Sequence, residues 1–127
     1  MKPIFLSVAM VQQIHEDQIQ RYGGSLGVRE LGLLESAVAM PQAGSVKQYF
    51  HTDIFEMAAA YLFHLVKNHP FVDGNKRVGA MAAYAFLGLN RIKITASAED
   101  FGDLTLAVAE GKAAKSAGAE FFRKHSR

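Results

Sequence analysis

HPFVDGNKRVGAMAAYAFLGL, running from His69 to Leu89, is the stretch that decides the fold. Pro70 cannot continue a helix arriving from the N-terminal side, and Asp73 and Gly74 turn the chain before a new helix begins. From Asn75 to Leu89 the text is apolar nearly all round after its first turn, the mark of a helix enclosed by others. Its small residues Gly79, Ala80, Ala82, Ala83 and Ala85 permit close approach of neighbouring helices, and Asn90 is a reasonable stop. On the other side of the break, Ile54, Met57, Ala58, Tyr61, Leu62, Leu65 and Val66 recur at helical spacing up to Asn68, with Thr52 or Asp53 as the cap. Two helices are therefore expected to meet at a short loop.

Working outward, Ser7 is a candidate N-cap for a first helix that carries Val11, Ile14, Ile19 and Tyr22 and stops at Gly23 and Gly24. Val28 to Met40 places Val28, Leu31, Leu34 and Val38 on one helical face and ends at Pro41. Gln42 to His51 lacks helical periodicity and reads as an extended loop or short hairpin, a flap. Ile92 to Thr95 reads as a short strand that pairs with this flap. Ser97 with Asp100 opens a helix through Phe101, Leu104 and Val108, and Ser116 opens a last one through Phe121 and Phe122. The expected fold class is all-α: a compact helical bundle around the central buried helix, one domain over residues 1–127.

Composition narrows the function classes. Fourteen Lys and Arg against 12 Asp and Glu leave a formal charge of only +2, without the basic patch that nucleic-acid binding needs. There is no Cys, so disulfides and thiolate metal sites are excluded. The opening MKPIFLSV is too short and too soon polar for a signal peptide or a membrane span. Cytoplasmic residence, with no membrane and no direct nucleic-acid partner, is the expectation.

The chemistry sits in residues 69–77. The N–H groups of Asn75, Lys76 and Arg77 open a helix without intrahelical partners, and the dipole adds partial positive charge there, so this turn suits an anion. Helix stability alone would prefer acidic residues in such a turn, yet Lys76 and Arg77 occupy it. A polyphosphate resolves the conflict: the Arg77 fork matches phosphate geometry and Lys76 serves as a mobile point charge. Asp73 is a hard oxygen donor suited to Mg²⁺, or else a helix cap. His69, presented at a loop by the extended backbone that a following proline favours, is the natural general base for a hydroxyl. Asn75 is either a turn residue or a donor to phosphate.

Other constellations carry less. His64, His69 and Asp73 invite a metal triad, but Pro70 interrupts the helix between the imidazoles and zinc is not expected. Gly23, Gly24 and Gly27 follow a helix rather than a strand, so they read as a cap and turn instead of a dinucleotide fingerprint. His15, His51 and His125 are expected on the surface, with His51 alone a candidate to border the site through the flap.

HPFVDGNKR resembles the Fic motif, whose usual form is His-Pro-Phe-x-Asp/Glu-Gly-Asn-Gly/Lys-Arg. The likeness extends to RYGG at 21–24 and GLLESAV at 32–38, so the chain resembles the Doc-type toxins of the Fic/Doc family over most of its length. The resemblance implies an ATP- and Mg²⁺-dependent transferase in which His69 is the base on the target hydroxyl and Asp73 the Mg²⁺ ligand. Gly74 and Asn75 would start the anion hole, Lys76 and Arg77 would bind nucleotide phosphates and serve the reaction, Phe71 would anchor the loop, and the flap around Lys47 to Phe50 would dock the target.

Members that transfer AMP usually carry Gly where Lys76 stands; Lys76 implies the Doc chemistry, transfer of a phosphoryl group to a Ser/Thr hydroxyl such as that of elongation factor Tu. Pro70 and Gly74 match the general Fic consensus, which keeps AMP transfer as the alternative, beside a catalytically inactive helical binding module. The nearest match to the family's inhibitory helix, Thr105 to Gly111, is wrong in spacing by one residue, which implies inhibition in trans by a Phd-like antitoxin.

Overall fold

The computed structural model describes residues 2–45 and 48–127, so Lys47 of the expected flap lies outside the described residues. Among the described residues there are six α-helices: α1 (Val8–Tyr22), α2 (Leu31–Ala39), α3 (Ile54–Asn68), α4 (Asn75–Leu89), α5 (Ala98–Ala109) and α6 (Lys115–Lys124). A 3₁₀ turn, Met40–Gln42, continues α2 through Pro41. Among the described residues, pairing between extended segments is confined to isolated bridges. The all-α bundle read from the sequence is the fold.

Side-chain caps set the starts of α1, α3 and α5. Ser7 Oγ accepts from the Met10 N–H at 3.1 Å, Asp53 Oδ1 from the Glu56 N–H at 2.8 Å, and Ser97 Oγ from the Asp100 N–H at 3.0 Å. At the end of α1, Gly23 has φ 84 and its N–H donates to the Ile19 carbonyl at 2.8 Å.

Helices α3 and α4 share the centre. α3 packs against α2, α4, α5 and α6, and α4 packs against α1, α3 and α5. Close approach depends on a missing side chain: a Cβ at Gly79 would lie 2.7 Å from Val66 Cγ2. The buried aromatics Tyr61, Phe71, Phe86 and Phe122 fill the space between these helices, and the Tyr61 hydroxyl accepts from the Leu6 N–H at 2.8 Å. No helix among the described residues is long and apolar enough to cross a membrane.

Two local expectations are corrected. Val28 does not begin α2; it bridges antiparallel to Phe71, and the N–H groups of Arg29 and Glu30 both donate to the Pro70 carbonyl, which holds the segment against the loop and keeps its backbone extended as far as the N-cap Glu30, at φ −150 and ψ 103. Ile94 pairs with Ser126 rather than with the flap, secured by Lys93 and Arg127 exchanging N–H···O bonds at 2.8 and 2.9 Å. The C-terminus, brought back by α6, thus occupies the edge. The flap closes on itself through a Gly44–Tyr49 bridge and the Phe50 N–H on the Ala43 carbonyl.

Candidate active site

Residues 69–74 join α3 to α4, and the loop is shaped from inside by Phe71 and Asn75. Phe71 is 1% exposed and belongs to the buried core. Asn75, 4% exposed, closes a ring on it: Oδ1 accepts from the Phe71 N–H at 2.9 Å and Nδ2 donates to the Phe71 carbonyl at 3.0 Å. Both functional atoms of the Asn75 amide are thereby engaged with the loop, so what Asn75 offers outward is its backbone N–H.

His15, expected on the surface, is 2% exposed beneath the loop. Its ring stacks on Phe71 with centroids 3.9 Å apart and planes 8° from parallel, and Nε2 donates to the Asp73 carbonyl at 2.8 Å. A carbonyl only accepts, so this contact fixes the proton on Nε2. The signal was present in the sequence: Val11, His15, Gln18 and Ile19 share the inner face of α1. His51 is likewise buried, at 8% exposure, against expectation.

The segment between α1 and α2 braces the loop from outside. The Val72 N–H donates to the Gly27 carbonyl at 3.0 Å, and the Ser25 N–H donates to Asp73 Oδ2 at 3.1 Å. Gly24 has φ 120, and a Cβ there would stand 2.6 Å from Asp73 Oδ2 and 3.1 Å from Arg77 Nη2. The second glycine of RYGG is therefore required by the close approach of backbone to the two charged groups. Arg29 reaches furthest, donating from Nε to the His69 carbonyl at 2.8 Å and from Nη2 to the Asn68 carbonyl at 3.1 Å.

His69 ends α3 in the left-handed conformation, with φ 52 and ψ 52, rather than in the extended backbone expected before proline. Its imidazole still emerges at the loop and is exposed. Gly74, at φ 78, admits the chain to α4 without a side-chain cap. Among the described residues no acceptor meets the N–H groups of Asn75, Lys76 or Arg77; the first intrahelical bond of α4 is from Val78 to the Gly74 carbonyl at 2.9 Å. Arg77 lies back along the α1 side, Nη1 donating to the Gln18 carbonyl at 3.3 Å, while Lys76 is exposed.

One cleft of about 390 Å³ brings the sequence-predicted residues together: His69, Asp73, Gly74, Asn75, Lys76 and Arg77 all line it. The Asp73 carboxyl is held below its ordinary range by the Ser25 and Gly74 N–H groups, with the Arg77 guanidinium adding to them. It is thus ionised at neutral pH and retains lone pairs for a cation beyond its two N–H contacts. These residues fit a Mg²⁺-bound polyphosphate: a hard anionic donor beside three free N–H groups and two cationic side chains. Lys76 and Arg77 also border a wider apolar groove of about 690 Å³ walled by Ala80, Tyr84, Phe101 and Leu106. Thr105, at the start of the stretch compared with an inhibitory helix, is buried and donates its hydroxyl to the Phe101 carbonyl of its own helix at 3.0 Å.

A helical bundle in which an imidazole at one helix end shares a cleft with the uncapped and cationic N-terminus of the next is the class of molecule seen here. The family model described as Fic/DOC family matches residues 5–87, and the chain belongs to that family. Among curated proteins it is 44% identical to Toxin Doc of Mycolicibacterium smegmatis over 75 residues, which take in 59% of this chain and 58% of that toxin. It is also 34% identical to Protein kinase doc of Escherichia phage P1 over 111 residues, covering 87% of this chain and 86% of that kinase.

Proposed function

We propose that this chain is a Doc-type toxin that transfers a phosphoryl group from ATP to a Ser or Thr hydroxyl of a target protein. The observation that carries the proposal is the cleft in which His69, Asp73 and the free N–H groups of Asn75, Lys76 and Arg77 converge. The name of the phage relative, a protein kinase, supports phosphoryl transfer, and so does Lys76 in the place where AMP-transferring members usually carry Gly.

His69 takes the proton of the incoming alcohol as its oxygen forms the new bond to phosphorus, and the phosphoanhydride bond to ADP breaks. Lys76, Arg77 and the opening N–H groups of α4 receive the charge that develops on the phosphate oxygens. Asp73 would hold Mg²⁺, which neutralises phosphate charge when bound. Such transfer demands chiefly positioning and charge neutralisation, which this inventory supplies.

The proposed target is elongation factor Tu, whose modification would block translation and place the reaction in the cytoplasm. A Phd-like antitoxin is the proposed inhibitor, in keeping with the toxin name of the mycobacterial relative. The test is incubation with cell extract and ATP labelled at either the α or the γ position. γ-Label on a protein band, lost in His69→Ala, is the expected result. α-Label would make the chain an AMP transferase, and the absence of any His69-dependent label would leave a binding module.

A further inference from the structure

Resting on that reading, we infer that Arg29 is a positioning residue for the proposed base, setting the direction in which His69 projects its imidazole. Among the described residues, Arg29 alone engages three consecutive carbonyls at the α3 terminus. Its Nε donates to His69 at 2.8 Å, its Nη2 to Asn68 at 3.1 Å, and its backbone N–H to Pro70 at 2.7 Å.

A peptide unit is planar, so holding its oxygen holds the whole plane. The plane carrying the Asn68 oxygen ends at the His69 Cα, and the plane carrying the His69 oxygen begins there. Fixing both planes fixes φ and ψ of His69, and with them the direction of its Cα–Cβ bond. Something must do so, because φ 52 on a non-glycine residue followed by Pro70 is a conformation the chain does not choose alone. The side-chain fork is suited to this, since two N–H groups on one rigid plane meet two carbonyls together, whereas the three N–H groups of a lysine ammonium rotate freely at the end of a flexible stem. The backbone bonds of Arg29 and Glu30 to Pro70 hold the segment in place whatever side chain stands at 29.

The experiment uses the full chain with Arg29→Ala and Arg29→Lys. Phosphoryl transfer is measured at saturating ATP, ATP affinity by titration, and the His69 imidazole by its NMR resonances. Both variants are expected to lose transfer by roughly 10- to 100-fold, the scale of a reacting group misplaced by about 1 Å. ATP affinity is expected to stay unchanged, and the His69 ring resonances to shift or broaden. Added guanidinium ion at low millimolar concentration is expected to restore part of the rate to Arg29→Ala and none to Arg29→Lys.

Wild-type transfer in Arg29→Ala overturns the inference, as does a loss of ATP affinity equal to the loss of transfer. If the wild-type chain transfers no label, the proposed function fails instead; an unmoved His69 resonance in Arg29→Ala would then overturn the positioning role on its own.

Discussion

Replacing Asn75 with Ala tests whether the amide is a clasp for the loop. The wild-type side chain gives Phe71 both an acceptor at 2.9 Å and a donor at 3.0 Å, with Asn75 4% and Phe71 1% exposed. Alanine leaves the Phe71 N–H and carbonyl buried without partners, at about 1–3 kcal/mol each, so the loss is expected near 3–4 kcal/mol. At roughly 4 °C per kcal/mol for a domain of this size, the melting temperature should fall by about 12–16 °C. Asn75→Asp keeps the acceptor for the N–H but cannot donate to the carbonyl, and is expected to cost about half as much. Urea unfolding of the three proteins measures these differences directly. An Asn75→Ala cost under about 1 kcal/mol would refute the clasp, since the Phe71 groups would then be satisfied without the amide.

Gly24→Ala is expected to lose about 1–3 kcal/mol through its φ of 120 and to weaken ATP binding, because its methyl would press on Asp73 and Arg77; unchanged ATP affinity would separate that loop from the site. His69→Gly should abolish transfer yet raise stability by up to about 1 kcal/mol, since glycine adopts φ 52 freely; a net destabilisation in urea would contradict this. Burial, with the Lys115 amine and His51 adding to it, pushes the His64 imidazole down to about 4 from its ordinary 6.5. The unfolded chain then binds a proton that the folded one refuses, so stability is full above about pH 6.5 and drains away as the pH falls toward 4, by at most about 3 kcal/mol. His64→Gln should flatten that slope, and parallel pH profiles of the two proteins would show the assignment to be mistaken.

The α3–loop–α4 arrangement was legible because its signals are local: helical spacing from Ile54, a proline, and a glycine before an apolar run. The same local signals bring His69, Asp73, Gly74, Lys76 and Arg77 to one cleft. What the sequence hid is non-local. The bridge of Val28 to Phe71 shortens α2 by holding the backbone extended as far as Glu30, and the Ile94 segment takes the C-terminus as partner because α6 delivers it there. Arg29 shows no periodicity at all, and its place is set by carbonyls 39 and 40 residues away. His15 was legible by spacing, yet a histidine on an amphipathic helix does not announce whether it faces in or out. His69 departs from the rule for residues before proline, at the position proposed for the chemistry, where local strain is commonly stored.

The chemistry proposed for His69 depends on a polyphosphate resting on the first turn of α4. Titration of the ¹⁵N-labelled chain with Mg²⁺ and ATP reads that turn through the backbone amides of Asn75, Lys76 and Arg77, for which no acceptor stands among the described residues. Saturable shifts of these three amides, abolished when Arg77 is changed to Ala, are the predicted result. Amides that stay where they are at millimolar nucleotide would contradict it.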